Sequence, residues 1–154
     1  MSEKTDPAAL PTSADELRMS ILKKEMERAD GERKAREAEQ ARLTAFTDEF
    51  LHKHVSEDEI AMVRRLVANA VKDGKMEAMV YSFPSDLCSD SGRAINNSAP
   101  HWPDTLQGKA KELYDRYEER MKPQGYRLKA MVINFPGGVP GDIGFFLNWA
   151  PPAV

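Results

Sequence analysis

Residues 126–149, which are YRLKAMVINFPGGVPGDIGFFLNW, decide the fold. The runs 126–135 and 143–149 are rich in strand-forming residues, and the turn 136–142 between them holds three glycines and two prolines. This pattern predicts two antiparallel strands joined by a turn. The second run is apolar at five of its seven positions, whereas the first carries two basic residues on one face. A strand that is apolar on both faces belongs in the middle of a sheet, so we expect residues 143–149 there.

Another strand and a helix precede this hairpin. Residues 76–83, MEAMVYSF, have the composition of a strand that Pro84 ends. A helix is predicted to begin at Pro103, with a stripe along one face formed by Leu106, Ala110, Leu113, Tyr117 and Met121. A right-handed strand–helix–strand crossover makes the first two strands parallel. The predicted fold is therefore α+β: a two-layer α/β sandwich of the split β-α-β type. Its three-stranded sheet has the order 1-3-2, with helices on one face.

One more amphipathic helix is expected before the first strand. Ser56 followed by Glu59 forms a capping box. Apolar residues then recur at three- and four-residue spacing: Ile60, Val63, Leu66, Val67, Ala70 and Val71. Gly74 suits the left-handed conformation that ends many helices. The small α/β domain is thus expected to span residues 56–150.

Residues 14–54 predict a long charged helix that precedes the domain. Good helix formers dominate, and apolar residues gather only near the two ends, at 17–26 and 43–51. The apolar spacing does not continue through the charged middle, so we interpret the segment as a solvated helical arm instead of a sustained coiled coil. The alternative is a homo-oligomer formed through residues 17–26. Residues 1–13, with two prolines and no periodicity, are expected to be a disordered tail.

Composition excludes several classes of protein. Hydrophobic residues make up 41% of the 154 residues and charged residues 31%, which allows one core and argues against a membrane protein. The net charge is −3 and no basic block is present, so nucleic acid is not an expected partner. Cys88 is the only cysteine, which excludes an intramolecular disulfide. With no apolar signal segment at the N-terminus, the chain is expected to be cytoplasmic.

A candidate site follows from the topology. Residues 84–102 have no periodicity and form a loop of unusual length, which we expect to pack through Leu87, Ile95 and Trp102, with a short helical turn near 92–96. The loop leaves the first strand where the turn 136–142 leaves the second, so both lie at one edge of the sheet, which we call the loop edge. Arg93 is expected to organise the loop by binding a carboxylate or loop carbonyls. The other candidate residues at this edge are Asp86, Cys88, Asp90, Ser91, Asn96, Asn97, His101, Trp102, Gly137, Gly138 and Asp142.

These residues do not form a complete catalytic, metal-binding or phosphate-binding motif. Cys88 and His101 could act as a nucleophile and a base, with Asp90 nearby, but nothing in the sequence orients the histidine. Asp86 and Asp90 lack the pattern of a calcium loop, so no metal site is expected. One of them is expected instead to pair with Arg93 or to cap a turn. Gly137 and Gly138 lack the lysine, serine or threonine that follows a phosphate-binding loop. A hairpin turn accounts for both glycines, and no cofactor is implied.

Two functions remain after this comparison. The first is a non-catalytic interaction or regulatory module that binds a protein partner or a small polar ligand at the loop edge. The residues assigned to binding are Asp86, Arg93, Asn96, Asn97, Trp102, Gly137, Gly138 and Asp142. The second is a small enzyme that uses Cys88, His101 and the aspartates of the loop. The first is favoured because the polar groups form no complete catalytic set.

Overall fold

The computed structural model describes residues 13–152. It contains four α-helices and three strands within that range: α1 Ala14–His52, α2 Glu57–Lys72, β1 Glu77–Pro84, α3 Arg93–Asn96, α4 Gly108–Arg116, β2 Arg127–Val132 and β3 Asp142–Asn148. The tail expected at residues 1–13 lies outside the described residues except for Ser13. Within residues 13–152, none of the helices is both long and apolar enough to cross a membrane.

The sheet has the predicted topology. Its order is β1-β3-β2, and both neighbouring pairs are antiparallel. Ile143 of β3 lies between Phe83 of β1 and Val132 of β2, which places the most apolar strand in the centre. The α+β fold and the strand order expected from residues 126–149 are therefore confirmed.

The core lies on one face of the sheet. Ile143, Phe145 and Leu147 of β3 are almost completely buried, and they pack with Phe83 of β1 and Ala110 of α4. Because side chains alternate along a strand, Gly144 and Phe146 occupy the opposite face. The Lys129 ammonium lies 5.6 Å from the centre of the Phe146 ring on that face. The helices therefore cover one face only, as expected for two layers.

Helix α1 contributes to two compact units, which divide between Ala45 and Phe46. In residues 14–45 nearly every side chain is exposed, including Leu17, Ile21 and Met26. The last turns, from Phe46 onward, belong to the domain. Phe50 is 1% exposed, and its ring centre lies 5.5 Å from that of Phe83.

The second helix has the predicted ends. The Ser56 hydroxyl accepts a hydrogen bond from the Glu59 backbone N–H at 3.1 Å, and the Glu59 carboxylate accepts one from the Ser56 backbone N–H at 3.1 Å. This reciprocal pair is the capping box. Gly74 has φ = 76°, the left-handed conformation expected after the helix.

Two predicted boundaries are wrong. A single 3₁₀ turn, Trp102–Thr105, occupies the expected start of the third helix, and α4 begins only at Gly108. Gly108 has φ = 55°, and a Cβ there would collide with the backbone carbonyl of Phe50, so the close approach of α1 interrupts the helix. Strand β2 ends at Val132 instead of residue 135. Backbone bonds from Ile133 to Asp142 and from Gly141 to Asn134 continue beyond it, and the 3₁₀ turn Pro136–Gly138 then ends the pairing.

Candidate functional site

The loop edge brings together the two segments that the topology predicted. Ser85 follows β1, and its backbone N–H donates to the Gly141 carbonyl at 2.8 Å. Its hydroxyl donates to the Pro140 carbonyl at 3.1 Å. The expected packing of the 84–102 loop against the 136–142 turn is therefore confirmed at residues 85, 140 and 141.

Apolar anchors hold the loop in place. Leu87, Cys88 and Ile95 are buried, and α3 provides the helical turn expected near residues 92–96. Trp102 is half-buried, with its ring centre 5.4 Å from that of Tyr114 and 6.3 Å from that of Phe145. Trp102 thus contributes to the core at least as much as to the surface of the loop edge.

Asp90, not Arg93, organises the loop. The two carboxylate oxygens of Asp90 accept hydrogen bonds from the backbone N–H groups of Gly92 at 3.0 Å and Ala94 at 2.8 Å. Gly92 is buried against Ser85 and Ile143, with φ = 81°. The Arg93 side chain is exposed and makes no hydrogen bond or ion pair with any residue between 13 and 152. The prediction for Arg93 was wrong because a short carboxylate reaches nearby backbone N–H groups with less loss of side-chain entropy.

The geometry gives Cys88 a packing role. Its side chain is 3% exposed, and burial is the main cause that raises the pKa of its thiol to about 11. A thiol with that pKa is protonated near neutral pH and is a weak nucleophile. The His101 side chain is exposed and has no hydrogen-bond partner within the part of the chain that the structure describes. The arrangement needed for a cysteine–histidine pair is thus not formed by these groups.

The hairpin is fixed by Asn134, a residue that the sequence analysis did not single out. Its side-chain oxygen accepts from the Asp142 backbone N–H at 2.8 Å, and its amide donates to the Asp142 carboxylate at 3.0 Å. Gly137 and Gly138 have φ values of 63° and 82°, and a Cβ at either position would meet open space. Both glycines therefore allow the left-handed backbone of the turn, which agrees with the interpretation of residues 136–142 as a hairpin turn. Asp142 serves the turn as well.

Several candidate side chains remain available to a ligand. Asp86, Arg93, Asn96 and Asn97 are exposed, and their side chains have no hydrogen-bond or ion-pair partner among residues 13–152. Ser91 is exposed with φ = 57°. Two large apolar side chains of the hairpin are exposed as well: Phe135 at 53% and Val139 at 61%. The loop edge thus combines a fixed backbone with free polar and apolar side chains.

A second polar site, the Lys109 cluster, is formed by Lys109, Glu59, Glu49 and Tyr81. It was not predicted from the sequence. Lys109 lies in the first turn of α4, and its side chain is 8% exposed. Its ammonium nitrogen lies 2.7 Å from the Glu59 carboxylate and 3.4 Å from that of Glu49. These residues and Tyr81 line a cavity of about 280 Å³. The cluster joins the ends of α1, α2, α4 and β1.

The charges of the cluster stabilise one another. Burial alone would lower the pKa of Lys109, but the bond and charge of Glu59, and then those of Glu49, outweigh it and raise that pKa. Burial would likewise raise the pKa of Glu59, yet Lys109 and the Ser56 backbone lower it. Burial, followed by the charges of Glu59 and Glu49, raises the pKa of Tyr81 above its usual range.

Lys109, Glu59 and Tyr81 keep fixed protonation states near neutral pH. Lys109 stays an ammonium, Glu59 stays a carboxylate, and Tyr81 stays a neutral phenol. A general base or nucleophile needs a group poised to exchange a proton near the working pH, and neither Lys109 nor Tyr81 meets that condition. The cluster therefore has a structural role: it links α1, α2, α4 and β1 within the domain.

A signal for the cluster was present in the sequence. Lys109 falls three residues after Leu106 and four before Leu113, within the apolar stripe of the third helix. A lysine in such a stripe is either extended to solvent or paired with acids. Glu59 was recognised only for its capping role, although its side chain also reaches the buried ammonium.

The described residues contain no group of three or more His, Cys, Asp or Glu side chains that could hold a metal ion. In comparisons with known proteins, no family model, no curated protein and no solved structure matches this chain.

Proposed function

We propose that the domain is a protein-interaction or regulatory module that holds a protein partner at the loop edge. One observation carries this proposal. The backbone of the loop edge is held by buried anchors and by Asp90. The side chains of Arg93, Asn96 and Asn97 are exposed and have no hydrogen-bond or ion-pair partner among residues 13–152, and Phe135 is 53% exposed. An ordered surface loses little conformational entropy when a partner binds to it.

The composition of the loop edge favours a protein over a small polar ligand. Aromatic residues and arginine are the side chains that contribute most to protein interfaces, and polar groups surround them at the rim. Phe135 and Val139 offer apolar area, and Arg93 offers an unpaired cation. The complementary partner carries an apolar side chain to cover Phe135 and a carboxylate to pair with Arg93.

The alternative function, a small enzyme, draws less support from the geometry. Its nucleophile would be a buried thiol with a raised pKa, and its base would be an exposed histidine without an orienting group. The proposed module would work in the cytoplasm, where a single cysteine such as Cys88 stays reduced.

A photocrosslinking experiment tests the proposal. A photoreactive phenylalanine analogue replaces Phe135 in the full chain, and as a control it replaces Met62, which is a similarly exposed apolar residue on α2. We expect a defined protein to be crosslinked from position 135 and not from position 62. The crosslinked protein is then purified, and its affinity for the chain is measured by titration.

Two variants decide the outcome. Phe135→Ser and Arg93→Glu should each weaken the affinity about tenfold, because each removes a central contact of the interface. Arg65→Glu, an equal charge reversal on α2, should leave the affinity unchanged. Equal crosslinking from positions 135 and 62, or an affinity that neither variant changes, would overturn the proposal.

A further inference from the structure

A groove lies between α2 and residues 113–126, which comprise the end of α4 and the turns that follow it. It has a volume of about 420 Å³, and its apolar lining includes Ile60, Val63, Val67, Leu113, Met121 and Tyr126. None of its lining residues belongs to the loop edge, so the two sites are independent. Val63, Val67 and Leu113 are only half-buried, so apolar area remains uncovered along the helices.

The charges of this α2–α4 groove have one sign. Arg64 of α2 lines one wall, and Arg116 and Arg120 line the other, whereas no aspartate or glutamate lines the groove. The Arg116 guanidinium lies 4.0 Å from the Glu112 carboxylate, at the limit of an ion pair. The guanidinium groups of Arg64 and Arg120 make no ion pair with any residue from 13 to 152. At least two cations are thus free to pair with a ligand.

The length of the groove matches a short helix. From Ile60 to Ala68 the wall formed by α2 extends over roughly 12 Å, at about 1.5 Å of rise per residue. Two turns or more of an amphipathic helix fit along that distance, and such helices bind grooves through apolar residues at positions i, i+4 and i+7. Arg116 and Arg120 are four residues apart, about one turn, and Arg64 faces the groove from the opposite helix.

We propose that the α2–α4 groove binds an amphipathic helix of a protein partner that carries acidic residues on both sides of its apolar stripe. The distribution of the arginines separates this occupant from a fatty acid or another amphiphile with a single carboxylate. Such a ligand needs one cation at one end of a groove, whereas here cations stand on both walls and at two points along one of them. Acidic side chains on both flanks of a helix satisfy all three positions.

The test uses the full chain and a synthetic peptide of about 16 residues, with leucine at positions i, i+4, i+7 and i+11 and glutamate on both flanks. A second peptide has lysine in place of each glutamate. Fluorescence anisotropy of labelled peptides measures binding, and laurate is added as a competitor. We expect saturable binding of the acidic peptide that weakens as salt increases, no binding of the basic peptide, and no displacement by laurate.

Matched variants locate the site. Arg64→Glu should weaken binding about fivefold, and Arg64→Glu with Arg120→Glu about tenfold or more. Arg65→Glu changes the same charge one residue away, outside the groove, and should leave binding unchanged. Ala68→Trp fills the groove without changing charge and should abolish binding. Melting curves confirm that each variant folds, which the exposure of Arg64, Arg120 and Ala68 favours.

Four results would overturn the inference. They are the absence of saturable binding by the acidic peptide, equal binding of the acidic and basic peptides, equal effects of Arg64→Glu and Arg65→Glu, and displacement of the peptide by laurate. The last result would assign the groove to a small amphiphilic anion instead of a helix.

Discussion

The loop edge and the Lys109 cluster differ in the exposure and pairing of their polar side chains. At the loop edge, the side chains of Arg93, Asn96 and Asn97 are exposed and unpaired among the described residues. The loop is held by its backbone, its apolar anchors and the Asp90 carboxylate. In the cluster, Lys109 is buried and paired with two carboxylates. The first arrangement leaves side chains available for a partner, and the second uses its side chains to connect elements of the fold.

This difference predicts where substitutions change stability. Exposed side chains without partners can be replaced at little cost, usually within about 0.5 kcal/mol. Removing one member of a buried ion pair leaves the other charge uncompensated, which costs several kcal/mol when both are fully buried. The free energy of unfolding should therefore respond to changes in the cluster, and binding should respond to changes at the loop edge.

The largest effect is expected from a pair of deletions in α1. Deleting residues 1–45 leaves Glu49 and Phe50 in place, and cooperative unfolding of the domain should survive. Deleting residues 1–52 removes both. Loss of a buried phenylalanine alone costs about 3–5 kcal/mol, so the longer deletion should abolish the cooperative transition.

Urea denaturation followed by the fluorescence of Trp102 and Trp149 measures both deletions. Tryptophan emission is suitable because shortening α1 changes the helical signal in circular dichroism directly. A shorter deletion that already abolishes the transition would show that residues before Phe46 are needed for the domain to fold.

A moderate effect is expected from Lys109→Ala. The variant leaves the Glu59 and Glu49 carboxylates without their cation and removes the buried aliphatic stem of the lysine. Glu59 and Glu49 are partly exposed, so solvent reduces the cost below that of a fully buried pair. We expect the free energy of unfolding to fall by about 2 kcal/mol. Lys111→Ala, which changes an exposed lysine on the same helix, should change it by less than about 0.5 kcal/mol.

The acid side of the stability curve provides a second measurement of the cluster. The pKa of Glu59 in the folded state lies below its usual value of 4.5. A carboxyl with a lowered pKa stabilises the fold above its unfolded pKa and loses that contribution as pH falls through the folded pKa. The stability of the natural chain should therefore decline below about pH 4.5, and the decline should be shallower in Lys109→Ala. Parallel curves for the two proteins would contradict the assigned role of Lys109.

Sequence patterns predicted the sheet because each strand had its own signal. Residues 143–149 are apolar on both faces, which placed β3 in the centre, and the proline- and glycine-rich turn fixed its direction. The start of α4 could not be predicted in this way. It depends on the approach of the Phe50 backbone to Gly108, a contact between residues far apart in the chain.

The two polar sites also differ in whether sequence patterns or contacts between distant residues determine them. The loop edge could be located because strand direction alone brings residues 84–102 and 136–142 together. The organising role was assigned to Arg93 instead of Asp90, because charge alone does not show which side chain can reach a backbone N–H. In the Lys109 cluster, the two acids that pair with Lys109 lie far from it in the chain: Glu59 is 50 positions away and Glu49 is 60 positions away. Local periodicity carries no information about such pairs.

The smallest effects are expected within the loop, where Asp90→Ala and Arg93→Ala test which of the two side chains organises it. Asp90→Ala removes the acceptor of two N–H groups, those of Gly92 and Ala94, at the start of α3. Loss of a comparable cap costs about 1 kcal/mol. Arg93→Ala removes a side chain without a described partner, so its cost should stay within about 0.5 kcal/mol.

Amide exchange in residues 84–102, measured with urea denaturation, distinguishes the two variants. Exchange should accelerate at Gly92 and Ala94 in Asp90→Ala and remain close to that of the natural chain in Arg93→Ala. Asp90→Asn keeps one of the two acceptor oxygens and should give an intermediate rate. Faster exchange in Arg93→Ala than in Asp90→Ala would restore the arginine as the organiser of the loop. Arg93 would then be a residue that holds the loop instead of one that is free to bind a partner, and the proposed use of the loop edge would lose its cation.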